Sequence, residues 1–293
     1  MPGKSSGVDL STAPRPGLVP GLQLLELARE KHGAVAALNF YNAEILRAHT
    51  DAARRLRVPL FLQTTEATID YLGLRTIVAL ARAASEELEL PVALHLDHGK
   101  SFELAARAIE AGYTSVMIDG SSLPFAENVA LTRRVVRLAE GSGVSVEGEI
   151  GHVGQADAGA ALAVFTRPED ARRFVEQTGV DSVAVAIGTQ HGFYRGEVAL
   201  DFERLAAIQD AVAGVPLVLH GGSGVAHELL AKAIALGVAK VNFGTELKDA
   251  FMRAVRDSLA RSAEIDLRRS FAPAIAAVSH VSASKLQACW GRA

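Results

Sequence analysis

Several common protein classes are excluded by what this chain has little of. Its 293 residues include one cysteine, Cys289, so no intramolecular disulfide framework can form, and the composition fits a reducing compartment. No apolar run approaches the roughly 20 residues that a membrane span needs. Basic blocks are missing as well. Lys and Arg number 30 against 33 Asp and Glu, a net charge of −3, which offers no electrostatic footprint for nucleic acid or an anionic membrane. The opening Met1–Pro20 is rich in Pro, Gly and Ser without the apolar core of a signal peptide, and it reads as a loose tail. A soluble, cytoplasmic protein is expected.

What the chain does have is apolar content, 49%, arranged in strand-length runs that alternate with helical patterns. The runs are Ala34–Phe40, Pro59–Thr65, Val92–His98, Ser115–Gly120, Ser145–Gly151, Ser182–Gly188, Leu217–Gly221 and Lys240–Gly244. Between them apolar residues recur three and four apart, as in Phe102-Ala105-Ala106-Ile109 and Leu229-Leu230-Ala233-Ile234. Near-continuous apolar strands imply burial on both faces, hence a parallel sheet with helices outside. Glycines before the next strand, at Gly112, Gly179 and Gly237, suit helix C-caps. Eight strand–helix units in a row predict an α/β fold, a single (β/α)₈ TIM barrel spanning 21–293 behind the 1–20 tail. An open doubly wound sheet is the competing reading. Thr245–Arg261 should be an amphipathic helix, followed from about residue 262 by an appended helical tail.

Three of the apolar runs lead to a histidine (His98, His191, His220) and a fourth to Glu149. Active sites of such barrels lie at the carboxyl ends of the strands, so the strand-end polar residues converge on one mouth: Asn39, Asn42, Thr65, Asp97, His98, Asp119, Glu149, His191, His220, Ser223, Asn242 and Thr245. Three imidazoles in a ring suit Zn²⁺ with one position open to substrate. His95 lies inside its strand and reads as structural. Asp97 either caps the following helix or serves as a general acid/base beside the metal; on a regular strand it would face away from His98. The glycines of Gly221-Gly222-Ser223-Gly224, and Asn242-Phe243-Gly244-Thr245 after the last strand, stand where barrels commonly bind phosphate.

These residues fall in motifs that resemble the class II, metal-dependent ketose-bisphosphate aldolases acting on fructose or tagatose bisphosphate. The motifs are Leu94-His95-Leu96-Asp97-His98, Met117-Ile118-Asp119-Gly120-Ser121, Glu147-Gly148-Glu149-Ile150-Gly151, Ala186-Ile187-Gly188-Thr189-Gln190-His191-Gly192, Val218-Leu219-His220-Gly221-Gly222-Ser223-Gly224 and Val241-Asn242-Phe243-Gly244-Thr245-Glu246. They run in order from about Leu22 to Pro273. The resemblance implies Zn²⁺ on His98, His191 and His220, with Glu149 and Asp119 as further carboxylates around a mobile metal or secondary cation. It implies that Asp97 exchanges a proton with the substrate's C4 hydroxyl. Asp157 is the acidic candidate for a second proton transfer. Gly192, Gly221, Ser223, Asn242 and Thr245 match positions that hold the phosphate and glycerone portion, near which many members use a monovalent cation. Asn39 and Thr65 complete the expected substrate contacts. Many relatives are dimers or tetramers, so a homo-oligomer is expected.

The chain departs from the family pattern toward the far end of the substrate. Gln155 and Ala156 stand where acidic residues are common, Thr65 where serine is usual, and Ile275 near the place of a second arginine. Asp266-Leu267-Arg268 replaces Asp-Pro-Arg and leaves Arg268 as the candidate for the distal phosphate. A phosphorylated keto sugar acid is therefore the competing substrate, and a non-catalytic metal- and phosphate-binding sensor the competing function. Schiff-base chemistry is disfavoured, because Lys240 lies at the wrong end of its strand and Lys100 in a loop.

Overall fold

The computed structural model describes residues 13–155, 164–194, 196–212 and 214–290. In chain order the first elements are β1 (Gly17–Leu18), α1 (Gly21–Glu30), β2 (Val35–Asn39), α2 (Ala43–Leu56), β3 (Leu60–Thr65), α3 (Glu66–Leu72) and α4 (Leu74–Leu88). There follow β4 (Pro91–Gly99), α5 (Phe102–Ala111), β5 (Ser115–Ile118), α6 (Phe125–Ala139), β6 (Ser145–Ile150), β7 (Gly154–Gln155) and α7 (Pro168–Thr178). The last are β8 (Ser182–Val185), β9 (Gln190–His191), α8 (Phe202–Ala211), β10 (Leu217–Leu219), α9 (His227–Ala235), β11 (Val238–Phe243), α10 (Thr245–Arg261) and α11 (Leu267–Cys289).

Eight of the strands pair in parallel in the order β4-β3-β2-β11-β10-β8-β6-β5, and a β4–β5 pairing closes the ring. The fold is a (β/α)₈ barrel, and the open-sheet alternative fails on that closure. Side chains on the outer strand face pack under the helices in one continuous apolar cluster that includes Leu38, Leu62, Leu94, Val116 and Val183. Each such residue contributes about 1.5–3 kcal/mol by leaving water. Local chemistry fixes the helix ends. Asn42 accepts from Ile45 N at 2.9 Å to start α2, and Ser101 accepts from Leu104 N at 3.1 Å to start α5. Gly112 and Gly179 close α5 and α7 in the left-handed conformation.

Two expectations are corrected. The loose tail does not extend to residue 20, because Gly17–Leu18 pairs with Pro91–Val92 of β4; a two-residue strand carries no periodicity to read. Lys240 does not begin its strand, since β11 starts at Val238 and buries all six of its residues. Among the described residues no helix is long and apolar enough to cross a membrane.

Candidate active site and metal centre

The mouth at the carboxyl ends of the strands is organised by a bulge in β4. His98 has φ of 53°, in the left-handed region, and the β4–β5 register slips between Leu96 and Gly99. That irregularity turns Asp97 and His98 into one cleft, which a regular strand could not do. A non-glycine residue in this conformation is strained, and such strain is concentrated at functional sites.

His191 arrives from β9, which pairs with β7. The Tyr194 hydroxyl accepts from Gln190 N at 3.0 Å and donates to the Gly221 carbonyl at 2.8 Å, tying this segment to the loop after β10. His220 follows β10 directly. The ring of His98 lies 4.9 Å from that of His191 and 4.6 Å from that of His220.

The ring nitrogens show which atoms would hold a metal. His98 Nδ1 is 2.9 Å from Asp119 Oδ2, and His220 Nε2 is 2.9 Å from Glu147 Oε1. Carboxylates only accept, so these nitrogens carry protons and the opposite nitrogens are the ones turned toward a metal. Those two, His98 Nε2 and His220 Nδ1, face each other at 2.9 Å with a proton between them: burial would lower the pKa of His98, but Asp97 and the bond to Asp119 raise it to about 9. The buried Nε2 of His191 has no hydrogen-bond partner. A bound cation would replace that proton, and one ligand atom from each histidine falls within 4.8 Å of the others. The donor set fits a Zn²⁺-like ion, with carboxylates orienting two of the ligands from behind.

Carboxylates surround the group. Burial would raise the Asp97 carboxyl, but His98, then His220, and the Asn39 amide hold it below its ordinary value. Asn39 Nδ2 donates to Asp97 Oδ2 at 2.9 Å and Asn242 Nδ2 to Oδ1 at 3.1 Å, with Gln63 Nε2 at 3.4 Å. Asp119 accepts from Lys100 Nζ at 2.6 Å as well as from His98; these bonds outweigh burial and hold it well below the carboxylate range. Burial pushes Glu149 up to about 7 against the pull of His98, and its Oε2 has no hydrogen-bond partner. His98, Asp119 and Glu149 form a second candidate metal group.

A cleft of about 390 Å³ opens over these groups. It is lined by Asn39, Thr65, Asp97, His98, Asp119, Glu149, His191, Gly192, Gly221, Ser223, Asn242 and Thr245. At one end Ser223 Oγ accepts from Gly244 N at 3.3 Å and Glu246 N at 3.4 Å, beside the N-terminus of α10. The dipole at the start of this helix suits a phosphate there. Tyr41, His152 and Lys248 also line the cleft; no motif drew attention to them. Lys248, one turn into α10, was legible in principle as a cation beside the phosphate loop. Glu147 was missed too, although a carboxylate inside an apolar strand was itself a sign.

Arg268 is not brought to the cleft. It stands at the start of α11, paired with Asp266 at 2.8 Å and 90% exposed. Asn42 serves as the cap of α2 rather than lining the mouth. Asp157 lies outside the described residues.

The profile of the family described as "Fructose-bisphosphate aldolase class-II" matches residues 19–292. This chain belongs to the class II fructose-bisphosphate aldolase family. A protein of Bacillus subtilis (strain 168) named "Probable fructose-bisphosphate aldolase" is 42% identical over 276 residues, 92% of this chain and 96% of its own. The crystal structure of the YdjI aldolase from Escherichia coli K12 superposes with a TM-score of 0.83 at 34% identity, covering 94% and 98% of the two chains. A fructose-bisphosphate aldolase from Campylobacter jejuni, 21% identical over 98% of this chain and 100% of its own, shares the fold with a TM-score of 0.82. As a class II aldolase the chain is an aldehyde-lyase, and the match spans all eight barrel strands.

Proposed function

We propose that this class II aldolase depends on zinc and reversibly cleaves a ketose 1,6-bisphosphate, fructose or tagatose, between C3 and C4. The products are dihydroxyacetone phosphate and glyceraldehyde 3-phosphate. The observation that carries this reading is the convergence of three imidazoles, His98 and His191 lining the cleft and His220 buried against them, with the Asp97 carboxylate and a glycine-rich loop in the same cleft.

A divalent cation held by His98, His191 and His220 would supply an electron sink for the charge that develops at the ketone end. The chain's own groups do the rest. Asp97 takes the C4-hydroxyl proton as the C3–C4 bond breaks and returns it in the condensation direction. Three amide groups aim its carboxylate: Asn39 and Asn242 close, Gln63 at longer range. Gly192, Gly221, Ser223 and Thr245 receive the phosphate of the dihydroxyacetone portion, with Lys248 adding charge and a monovalent cation nearby. Asp157 supplies the acid that protonates the released enediolate carbon. Pinning the phosphate at one end and the C4 hydroxyl at the other leaves the scissile bond over the histidines.

One observation favours a phosphorylated keto sugar acid instead. Arg268, the candidate for a distal phosphate, lies on a separate surface, and it would reach a cleft only across an interface with a second copy. The deciding measurement is triose phosphate release from fructose and tagatose 1,6-bisphosphates, with and without EDTA. EDTA-sensitive cleavage of one epimer establishes both metal dependence and substrate. No release from either moves the assignment to the sugar acid, or to a non-catalytic metal- and phosphate-binding protein if metal still binds.

A further inference from the structure

Beneath the three histidines the barrel interior holds a second set of charges that the reaction above does not use. Lys240 of β11 and Glu147 of β6 are each 1% exposed. Lys240 Nζ donates to Glu147 Oε2 at 2.7 Å and to His95 Nε2 at 3.2 Å. His95 Nδ1 meets Ser115 Oγ at 2.8 Å, and Phe61 lies against both the ammonium and the His95 ring. The other oxygen of Glu147, Oε1, accepts from His220 Nε2.

Such barrels usually fill their interior with branched apolar side chains, and a buried ion pair is seldom more stabilising than apolar packing of the same volume. What this pair does, and an apolar filling could not, is commit both oxygens of Glu147. With Oε2 engaged by the ammonium, Oε1 is fixed in front of His220 as an acceptor. His220 must then carry its proton on Nε2, which leaves Nδ1 as the inward lone pair. His95 completes the arrangement as a neutral acceptor for Lys240, since burial, then the Lys240 charge, hold its pKa well below the imidazole range.

We propose that Lys240 is a positioning residue for the catalytic metal: through Glu147 it locks the tautomer of His220 and presents Nδ1 to the ion. The proposal rests on the metal-dependent reading given above. It makes a prediction that a merely structural ion pair does not. In Glu147→Gln, Lys240 draws the amide oxygen to itself, so the amide N–H₂ faces His220 Nε2 and forces the proton onto Nδ1, the ligand atom. Removing the lysine as well, in Glu147→Gln/Lys240→Met, frees the amide to turn. Its oxygen can then accept from His220 and its N–H₂ can donate to His95.

The test is Co²⁺ binding to the purified full chain, read as the Kd and the visible absorption band. Glu147→Gln should weaken Co²⁺ about 100-fold, and adding Lys240→Met should recover about tenfold with a band closer to that of the unsubstituted protein. A double variant that binds no better than Glu147→Gln, or a Glu147→Gln protein that binds as the unsubstituted one does, overturns the proposal. If Glu147→Gln does not fold, ¹¹³Cd–¹⁵N coupling in the histidine-labelled unsubstituted protein decides: coupling to His220 Nδ1 is expected, and coupling to Nε2 overturns it. An unsubstituted protein that takes up neither Co²⁺ nor Cd²⁺ overturns the metal reading, and the role of Lys240 with it.

Discussion

Asp97 is held by amide partners that come from three other strands. Asn39, Gln63 and Asn242 hold its oxygens from β2, β3 and β11, so the carboxylate is aimed before substrate arrives. Asp97→Ala should lower kcat at least ~100-fold while leaving the bound metal unchanged, checked by steady-state kinetics alongside metal analysis. A smaller loss with full metal content would remove the proton-transfer role. At the other end of the cleft, Gly222 precedes Ser223 with no room for a side chain. A Cβ there would meet Val241 Cγ1 at 2.6 Å, Phe243 Cε1 at 2.9 Å and the Asn242 carbonyl at 3.0 Å. Gly222→Ala must therefore shift the loop that positions Ser223, and KM for the bisphosphate should rise about tenfold. An unaltered KM would mean that this loop does not hold the phosphate.

α2, β2 and α11 meet at one buried histidine. His49 bridges Ser282 Oγ of α11 at 2.8 Å and the carbonyl of Asn39 in β2 at 3.1 Å. Burial lowers its pKa from 6.5 to about 4. As pH falls below 6.5 the unfolded chain takes up a proton that the folded chain refuses until about 4, so stability is lost over that window. Between pH 7 and 5 the loss is about 2 kcal/mol, and urea midpoints should show it in the unsubstituted protein beyond what His49→Gln shows. Equal losses would mean that His49 is not the group responsible. The eight strands were legible as elements because burial on both faces writes them as apolar runs, but the same continuity hides their ends: β8 stops at Val185 and not at Gly188. The two-residue strands β1, β7 and β9 were too short to show a period. At the site, the strand-end residues were legible from position alone. The pairing of Asp97 with His98 was not, because it depends on a left-handed residue that an alternating pattern cannot reveal. Lys240 and Glu147 were hidden for a related reason, since interior positions of a closed barrel alternate with helix-facing ones and only the fold shows which side is which.

Over the molecule as a whole, the metal would be a clamp on the ring of strands. Its three ligands would come from β4, from the end of β10 and from β9, which lies outside the barrel sheet; His98 and His220 are 122 residues apart in the chain. An ion that binds only the closed arrangement stabilises it by mass action, by about 2.7 kcal/mol when free metal is 100 times Kd. For a chain of this size that corresponds to about 4 °C in Tm. EDTA should therefore lower the thermal midpoint by that amount together with abolishing activity, and added Zn²⁺ should restore both. In His220→Ala the clamp lacks one of its three fixed points, so EDTA should leave Tm nearly unmoved from that variant's own starting value. If EDTA lowers Tm equally with and without His220, the stabilising ion sits elsewhere. The His98–Asp119–Glu149 group is then where to look, and Asp119→Asn should cancel the EDTA effect that His220→Ala did not.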